Sequence, residues 1–282
     1  MPFTNAYGSG VMLPNGKYLV AGGQSGSASK AMLYDPAAHT WLVLPNMTYG
    51  RNFASATVLK DGRALVVGGS SAPGIGAEIY DPETNAWSFT PPTTQTPKTG
   101  AQTATLLPDG RVVVTGGLDG VGPVAAAEIY DPAANSWSAV TPLSTTRQYA
   151  AATLVGNRVL ISGGEVGRTC QIFDATNNSW SAAPPMATNS SGHSAVLLAN
   201  GRVITIGNNG SELFDFTTGW STLTPPANSG EWATLSLMPD GTAIAAGGYA
   251  GAGAFDTLAR YDPVANSWAS LGQSSAAVND CP

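Results

Sequence analysis

The stretch AEIYDPETNAW, residues 77–87, decides the fold, because close copies of it end in Trp41, Trp137, Trp180, Trp220 and Trp268. Successive tryptophans stand 40 to 50 residues apart, the spacing of an array of like supersecondary units. The middle of the motif reads as a turn: Tyr34-Asp35-Pro36, Tyr80-Asp81-Pro82, Tyr130-Asp131-Pro132, Phe173-Asp174-Ala175, Phe214-Asp215-Phe216 and Tyr261-Asp262-Pro263. An aspartate can cap the turn amides and a proline presets φ, so the segment predicts a third strand, a turn and a short fourth strand carrying the tryptophan.

Upstream of each motif lies an almost wholly apolar run ended by a glycine pair: LVAGG, LVVGG, VVTGG, LISGG and IAAGG, with ITIGN in the fifth copy. Such a run predicts a second strand covered on both faces, with glycines where the backbone needs close approach or unusual φ. Before it comes Asn-Gly, Asp-Gly or Gly-Asn, at 15–16, 61–62, 109–110, 156–157, 200–201 and 240–241, which predicts type I′ hairpins. The first strands, Tyr7–Leu13, Ala54–Leu59, Gln102–Leu107, Tyr149–Leu154, His193–Leu198 and Ala233–Met238, alternate small residues as a crowded location requires.

The 282 residues carry 43% apolar and 11% charged side chains, with 34 Gly and 20 Pro, a balance that favours many short strands over helices or disorder. A net charge of −6 gives nucleic acid and anionic membrane no broad attraction, so neither is expected as a partner. No apolar run is long enough for a bilayer-spanning helix, and MPFTNAYGSG lacks the regions of a signal peptide, so no membrane insertion is expected. Cys170 and Cys281 fall outside metal-ligand spacing and leave open either two thiols or one long-range bridge.

Gly-Gly, then Tyr-Asp-Pro, then Trp at fixed offsets resembles the kelch repeat, from Ala6 to Leu271. The resemblance implies an all-β, six-bladed β-propeller around a central channel, four antiparallel strands per blade, in a single domain. The blades would run over about 5–47, 48–93, 97–143, 145–186, 189–226 and 229–272, in register with the repeats, with a tail at 273–282. Such a ring would close by packing the sixth blade on the first. ATLLPDGRV at 104–112 is similar to bacterial kelch arrays, which implies a bacterial protein, secreted or at the cell surface. A monomer is expected.

Residue types that recur at one offset are scaffold, and what remains is the candidate site. The motif aspartates, Asp61, Asp109 and Asp240 of the hairpins, and Glu78, Glu128 and Glu212 recur in this way. So do Lys17, Arg63, Arg111, Arg158 and Arg202 after the hairpin turns; Arg260, inside a third strand, fits no offset. The loops after Gly-Gly and the links into new first strands emerge on one face. They carry the expected ligand-contacting set: Tyr49, Arg51, Lys98, Asp119, Arg147, Tyr149, Glu165, Arg168, His193, Glu231, Trp232 and Tyr249. His39 stands where other copies have Asn and reads as a turn residue.

Kelch propellers are mostly interaction scaffolds, so the resemblance implies a non-catalytic module for a protein segment or a glycan, without metal or cofactor. Galactose-oxidase-like copper enzymes need a His, Tyr and Cys set that these residues cannot build, and the iron-binding loop of nitrile-specifier-like proteins has no counterpart. Sialic-acid mutarotases, metal-free six-bladed kelch proteins, supply the alternative: a carbohydrate-active enzyme. There Glu165 would be the acid/base and Arg168, Arg147 or Arg51 would hold a substrate carboxylate, with Glu231 and His193 the further catalytic candidates, although His193 also reads as a structural hydrogen-bonding residue.

Overall fold

In the computed structural model the fold is all-β: six blades of a β-propeller, each a four-stranded antiparallel sheet with strands in chain order. The structure describes residues 7–273 except 25, 27, 70–75, 96–98, 165–166, 189–190, 208–209, 227–228, 251–252 and 255. The chain divides into two compact units, blades 1–3 up to Gln148 and blades 4–6 from Tyr149. Blade 1 sets the pattern: Ser9–Met12, Tyr18–Ala21, Ala31–Asp35 and Thr40–Val43. Among the described residues, only blade 6 inserts a small hairpin, Tyr249–Ala250 with Gly253–Ala254, between its second and third strands. The tail with Cys281 lies outside the described residues.

The second strand of blade 2, Ala64–Val67, is apolar throughout because blades 1 and 3 cover both of its faces. Ala64 and Val66 join the cluster shared with blade 1, whereas Leu65 and Val67 join the cluster shared with blade 3. The period of two along a strand sends alternate side chains to opposite neighbours. Within each unit the first strands lie next to one another, and small residues there let hydroxyls stitch blade to blade. Ser55 Oγ donates to Gln102 O at 2.5 Å and Ser194 Oγ to Ala233 O at 2.5 Å.

The hairpins differ from expectation in turn type. Leu13 N donates to Lys17 O and Gly16 N to Leu13 O, and only Gly16 has positive φ, so the loop has three residues, a tight turn followed by a left-handed glycine. The same bonds recur at Leu59, Leu107, Leu198 and Met238. Only blade 4 has a two-residue loop, Val155 facing Arg158, and its positive φ at Gly156 is that of a type II′ turn.

The opening motif behaves as read. Asp81 Oδ1 accepts from Glu83 N and Thr84 N, and Asp35, Asp131, Asp215 and Asp262 cap their turns alike. Left-handed Asn85, Asn135 and Asn266 accept from Tyr80, Tyr130 and Tyr261 hydroxyls at 2.8–3.0 Å. His39 takes that role with φ +52, its Nδ1 3.2 Å from Tyr34 Oη. Where Phe214 lacks the hydroxyl, Gly219 supplies the φ without an acceptor. Each motif Trp ring packs on the Tyr or Phe opposite it, and several indoles tie their blade to the one before. Trp87 Nε1 donates to Pro45 O, Trp137 to Thr90 Oγ1, Trp220 to Pro184 O and Trp268 to Ser211 Oγ.

Arg260 now has a role. Arg63 pairs with Asp61 and Arg111 with Asp109 across their own hairpin turns. Blade 6 has Thr242 at that offset, and Arg260 from the third strand brings its guanidinium to Asp240 Oδ2 at 2.7 Å and Thr242 Oγ1 at 3.1 Å.

Candidate functional site

The links that lead into the first strands share one backbone device. Tyr7, Phe53, Ala101, Tyr149, Gly192 and Trp232 stand at the same offset and all have φ between +55 and +63. Phe53 N donates to Tyr7 O and Ala101 N to Phe53 O in the first unit; Gly192 N donates to Tyr149 O and Trp232 N to Gly192 O in the second. Within each unit the second and third left-handed residues thereby hang on their counterparts in the preceding blade. A bulky residue at positive φ is an outlier, yet four of the six are aromatic. Their rings pair within each unit: Tyr7 on Phe53 with centroids 4.3 Å apart, Tyr149 edge-on to Trp232 at 4.9 Å.

Two charges expected in open loops prove to be interior. Arg51 is 1% exposed; its Nε donates to Glu78 Oε1, Nη1 to Gly68 O and Nη2 to Gly76 O, at 2.7–3.1 Å. Burial draws its pKa down against the pull of Glu78. Glu78 also accepts Thr48 N and Tyr49 N, so this carboxylate fastens the incoming link. Glu128 does the same for Thr94, and Glu212 for Ala187 and Thr188. Arg147, equivalent to Arg51, is equally buried, and its carbonyl accepts Gly117 N at 2.6 Å. These two arginines belong to the blade interior, a correction to their placement on the loop face.

His193 is buried with Nε2 2.8 Å from Ser162 Oγ of the preceding blade, a structural bond. Asp119 caps its own loop through Val121 N and Gly122 N, which hold its carboxyl below the usual range. Arg168 is exposed and donates to Ala187 O at 3.0 Å. Tyr49, partly exposed, meets Phe89 edge-on at 5.7 Å. Lys98 and Glu165 lie outside the described residues.

The second unit gathers the rest. Trp232 lies over Gly192, where a Cβ would come within 3.0–3.1 Å of the indole ring. Glu231 and Tyr249 exchange both backbone hydrogen bonds, at 2.9 and 2.7 Å, which anchors the blade 6 hairpin to the link. As directly opposed residues they share a face. Tyr249 is 50% exposed, Glu231 is half-buried, and no hydrogen bond or ion pair engages the Glu231 side chain among the described residues.

Sequence reading missed Asn52 and Gln102, whose Oδ1 and Oε1 are buried without a hydrogen-bond partner. A signal was present: an acceptor residue precedes the left-handed aromatic in Asn52-Phe53, Gln148-Tyr149 and Glu231-Trp232. A cavity of 410 Å³ lies elsewhere, at the hairpin turns between Pro14, Asp61, Arg63, Pro82 and Glu83. Its Asp61 and Asp81 are already committed to Arg63 and to turn amides. Among the described residues no group of three His, Cys, Asp or Glu side chains is placed to hold a metal ion.

Comparison with known proteins bears on the fold. The Kelch motif family model matches residues 100–144, which make up blade 3. The chain is similar to the solved structure of a protein named YjhT, with a TM-score of 0.73 and 16% identity over 96% of this chain and 99% of that one. It is also similar to a fungal alcohol oxidase of the AA5 family in complex with copper, with a TM-score of 0.79 and 19% identity over 97% of this chain and 66% of the oxidase. At such identities the likeness is one of fold. No curated protein matches.

Proposed function

We propose that this kelch-repeat β-propeller is a non-catalytic binding module that takes its ligand on the links between blades, with Trp232, Tyr149, Glu231 and Tyr249 as contacts in the second unit. One observation carries the reading. The blade-to-blade hydrogen bonds need a left-handed residue, and Ala101 and Gly192 supply it without a ring. Holding Tyr7, Phe53, Tyr149 and Trp232 there costs about 1–2 kcal/mol each, a strain found where surrounding structure or function maintains it. Ring pairing offsets part of that cost, and an exposed tyrosine beside an unpaired carboxylate adds the polar and aromatic mixture of ligand sites.

The carbohydrate-active alternative draws on Arg168 and Glu231 among the described residues, because Arg51 is buried with each of its nitrogens bonded and His193 is bonded to Ser162. NMR of anomer exchange in a reducing sugar, with and without protein, tests it; exchange at the buffer rate ends it. The module is tested by glycan and peptide arrays probed with the intact chain, Trp232→Gly and Tyr249→Ala. Trp232→Gly keeps the positive φ but gives up the indole packing on Tyr149 and Gly192, so it should melt below the parent yet remain folded, while Tyr249→Ala, at an exposed ring, should melt like the parent; array binding should be lost in both. Hits that survive both substitutions would place the ligand elsewhere.

A further inference from the structure

We infer that Glu231 and Tyr249 bind the side chain of an arginine on an exposed segment of a partner protein; the inference rests on the binding-module reading and names the ligand of its second-unit contacts. The two residues are directly opposed and exchange both backbone hydrogen bonds, at 2.9 and 2.7 Å. Two glycines make that approach possible. A Cβ on Gly230 would overlap the Tyr249 carbonyl, and one on Gly248 would meet Gly230 N at 3.1 Å. The blade 6 hairpin is thereby closed onto the link, with Tyr249 50% exposed at its base.

That pairing needs neither a carboxylate nor a ring. In blade 3 the equivalent positions, counted from left-handed Ala101 and from the pair Gly116-Gly117, are Gly100 and Leu118, and they too face each other. Glu231 and Tyr249 therefore carry side chains that the strand pairing leaves unused. Nor does the unit supply a counter-ion: Tyr149–Cys281 contains no lysine and four arginines. Arg158 lies 4.0 Å over the Phe216 ring, Arg168 donates to Ala187 O, Arg260 pairs with Asp240, and Arg202 is within electrostatic reach of Asp215. Among the described residues nothing engages the Glu231 carboxylate.

A carboxylate beside an exposed phenol ring suits a guanidinium on both counts. Directly opposed side chains stand about 4.5–5.5 Å apart at Cβ, close to the 4.0 Å at which Arg158 stacks on Phe216 in this same unit. An arginine lying on the Tyr249 ring therefore brings its N–H edge to Glu231, which it can meet with two parallel hydrogen bonds. Such a contact works on open surface and needs no enclosing cavity. The Tyr249 hydroxyl donates or accepts and so favours no charge type, whereas the carboxylate only accepts. An anionic ligand would be repelled by Glu231, and a neutral sugar would leave its charge uncompensated. The net charge of −6 draws basic partners toward the chain.

The test is NMR of the intact chain, following the Glu231 and Tyr249 amide signals during titration with the capped peptide Gly-Gly-Arg-Gly-Gly. The same peptide with citrulline for arginine keeps the shape without the charge, and maltose serves as the neutral sugar. The arginine peptide should bind about tenfold more tightly than either control, the product of an exposed ion pair and an exposed cation–π contact. Glu231→Gln should weaken it about two- to fivefold and flatten the fall in affinity with added salt, which a merely structural role would not do. Tyr249→Ala should weaken it about two- to fivefold, while Tyr249→Phe, which keeps the ring, should bind like the parent. If Tyr249→Ala melts early, the nearly isosteric Glu231→Gln still decides. No binding of the arginine peptide, equal binding of either control, or an affinity and salt dependence unchanged in Glu231→Gln overturns the inference. Array hits lost in Trp232→Gly and Tyr249→Ala but kept in Glu231→Gln would in that case leave the module standing; if no ligand depends on Trp232 or Tyr249, both readings fall together.

Discussion

Replacing Arg51 by methionine tests whether this arginine is scaffold or site. The side chain is 1% exposed and makes three donor contacts, to Glu78, Gly68 O and Gly76 O. Without it, Glu78 keeps Thr48 N at 2.8 Å and a weak bond from Tyr49 N at 3.4 Å, and becomes a buried carboxylate with no cation. Breaking a buried pair by removing one partner costs about 3–5 kcal/mol. Blade 5 supplies the control within the same molecule. Glu212 is equally buried at the same offset and is held by Ala187 N at 2.7 Å and Thr188 Oγ1 at 3.0 Å, with no cation among the described residues. Glu212→Gln should therefore cost only about 1.5–3 kcal/mol, the worth of one hydrogen bond to a charged group. Arg51→Met/Glu78→Gln should be less destabilised than the sum of its single variants by about 1–3 kcal/mol, because the second change removes the orphaned charge. Urea denaturation at neutral pH, with midpoint and slope followed by tryptophan fluorescence, reads all four proteins. An Arg51→Met cost below about 1 kcal/mol, on the scale of an exposed pair, would refute the burial argument. So would lost ligand affinity with unchanged stability, which would return Arg51 to the site.

Further outcomes follow from the same geometry. Trp137, 8% exposed with its indole on Thr90 Oγ1, should cost about 3–5 kcal/mol when cut to alanine, and half-buried Trp87 roughly half as much, measured in the same denaturation. Phe214→Tyr alone buries a hydroxyl without an acceptor and should lower stability by about 1–3 kcal/mol. Adding Gly219→Asn should recover it, since φ there is +82 and a Cβ would meet Pro184 at an ordinary 3.5 Å; no recovery would refute the Tyr–Asn pairing rule. Asp35, Asp81 and Asp215 are more acidic in the folded chain because turn amides bind their carboxylates. Their stabilisation is present above the unfolded carboxylate pKa of about 3.9 and is lost as pH falls through the lower folded values. Thermal melts should hold steady from neutral pH down to about 5 and drop below about 4; a drop already complete at pH 5 would assign the loss to other groups.

The blade pattern was legible because each structural duty is discharged six times by nearly the same residue. Asp81 caps its turn as Asp35 and Asp131 do, and His39 could be recognised as an asparagine substitute by position alone. Turn type was less legible. Asp-Gly suits a two-residue hairpin, but the Leu59–Arg63 pairing leaves three residues in the loop and places only Gly62 at positive φ. Arg51 was misread because an arginine in a glycine-containing link looks solvated, while its carboxylate partner stands 27 residues away in another strand. Arg260 was unreadable until the register set it beside Ile244, within reach of a turn whose usual arginine had become Thr242.

These cases share a cause that also sharpens where function should be sought. Subtracting repeated residues removes scaffold that recurs, but a structural duty performed once leaves an unrepeated residue as well. Arg51, which recurs only as Arg147, and Arg260, which recurs nowhere, are examples: their guanidinium groups bond to Glu78, to backbone carbonyls, and to Asp240 and Thr242. Rarity alone therefore does not separate site from scaffold: a charged residue in a link belongs to the scaffold when its side chain already ends on partners within the fold, as both of these arginines do. An unmet buried bond does not separate them either, because Glu128 and His193 hold structural contacts with one side and leave a buried atom unanswered on the other. Exposure beside an uncommitted group is the stronger guide, and it favours Glu231 and Tyr249 over the link arginines.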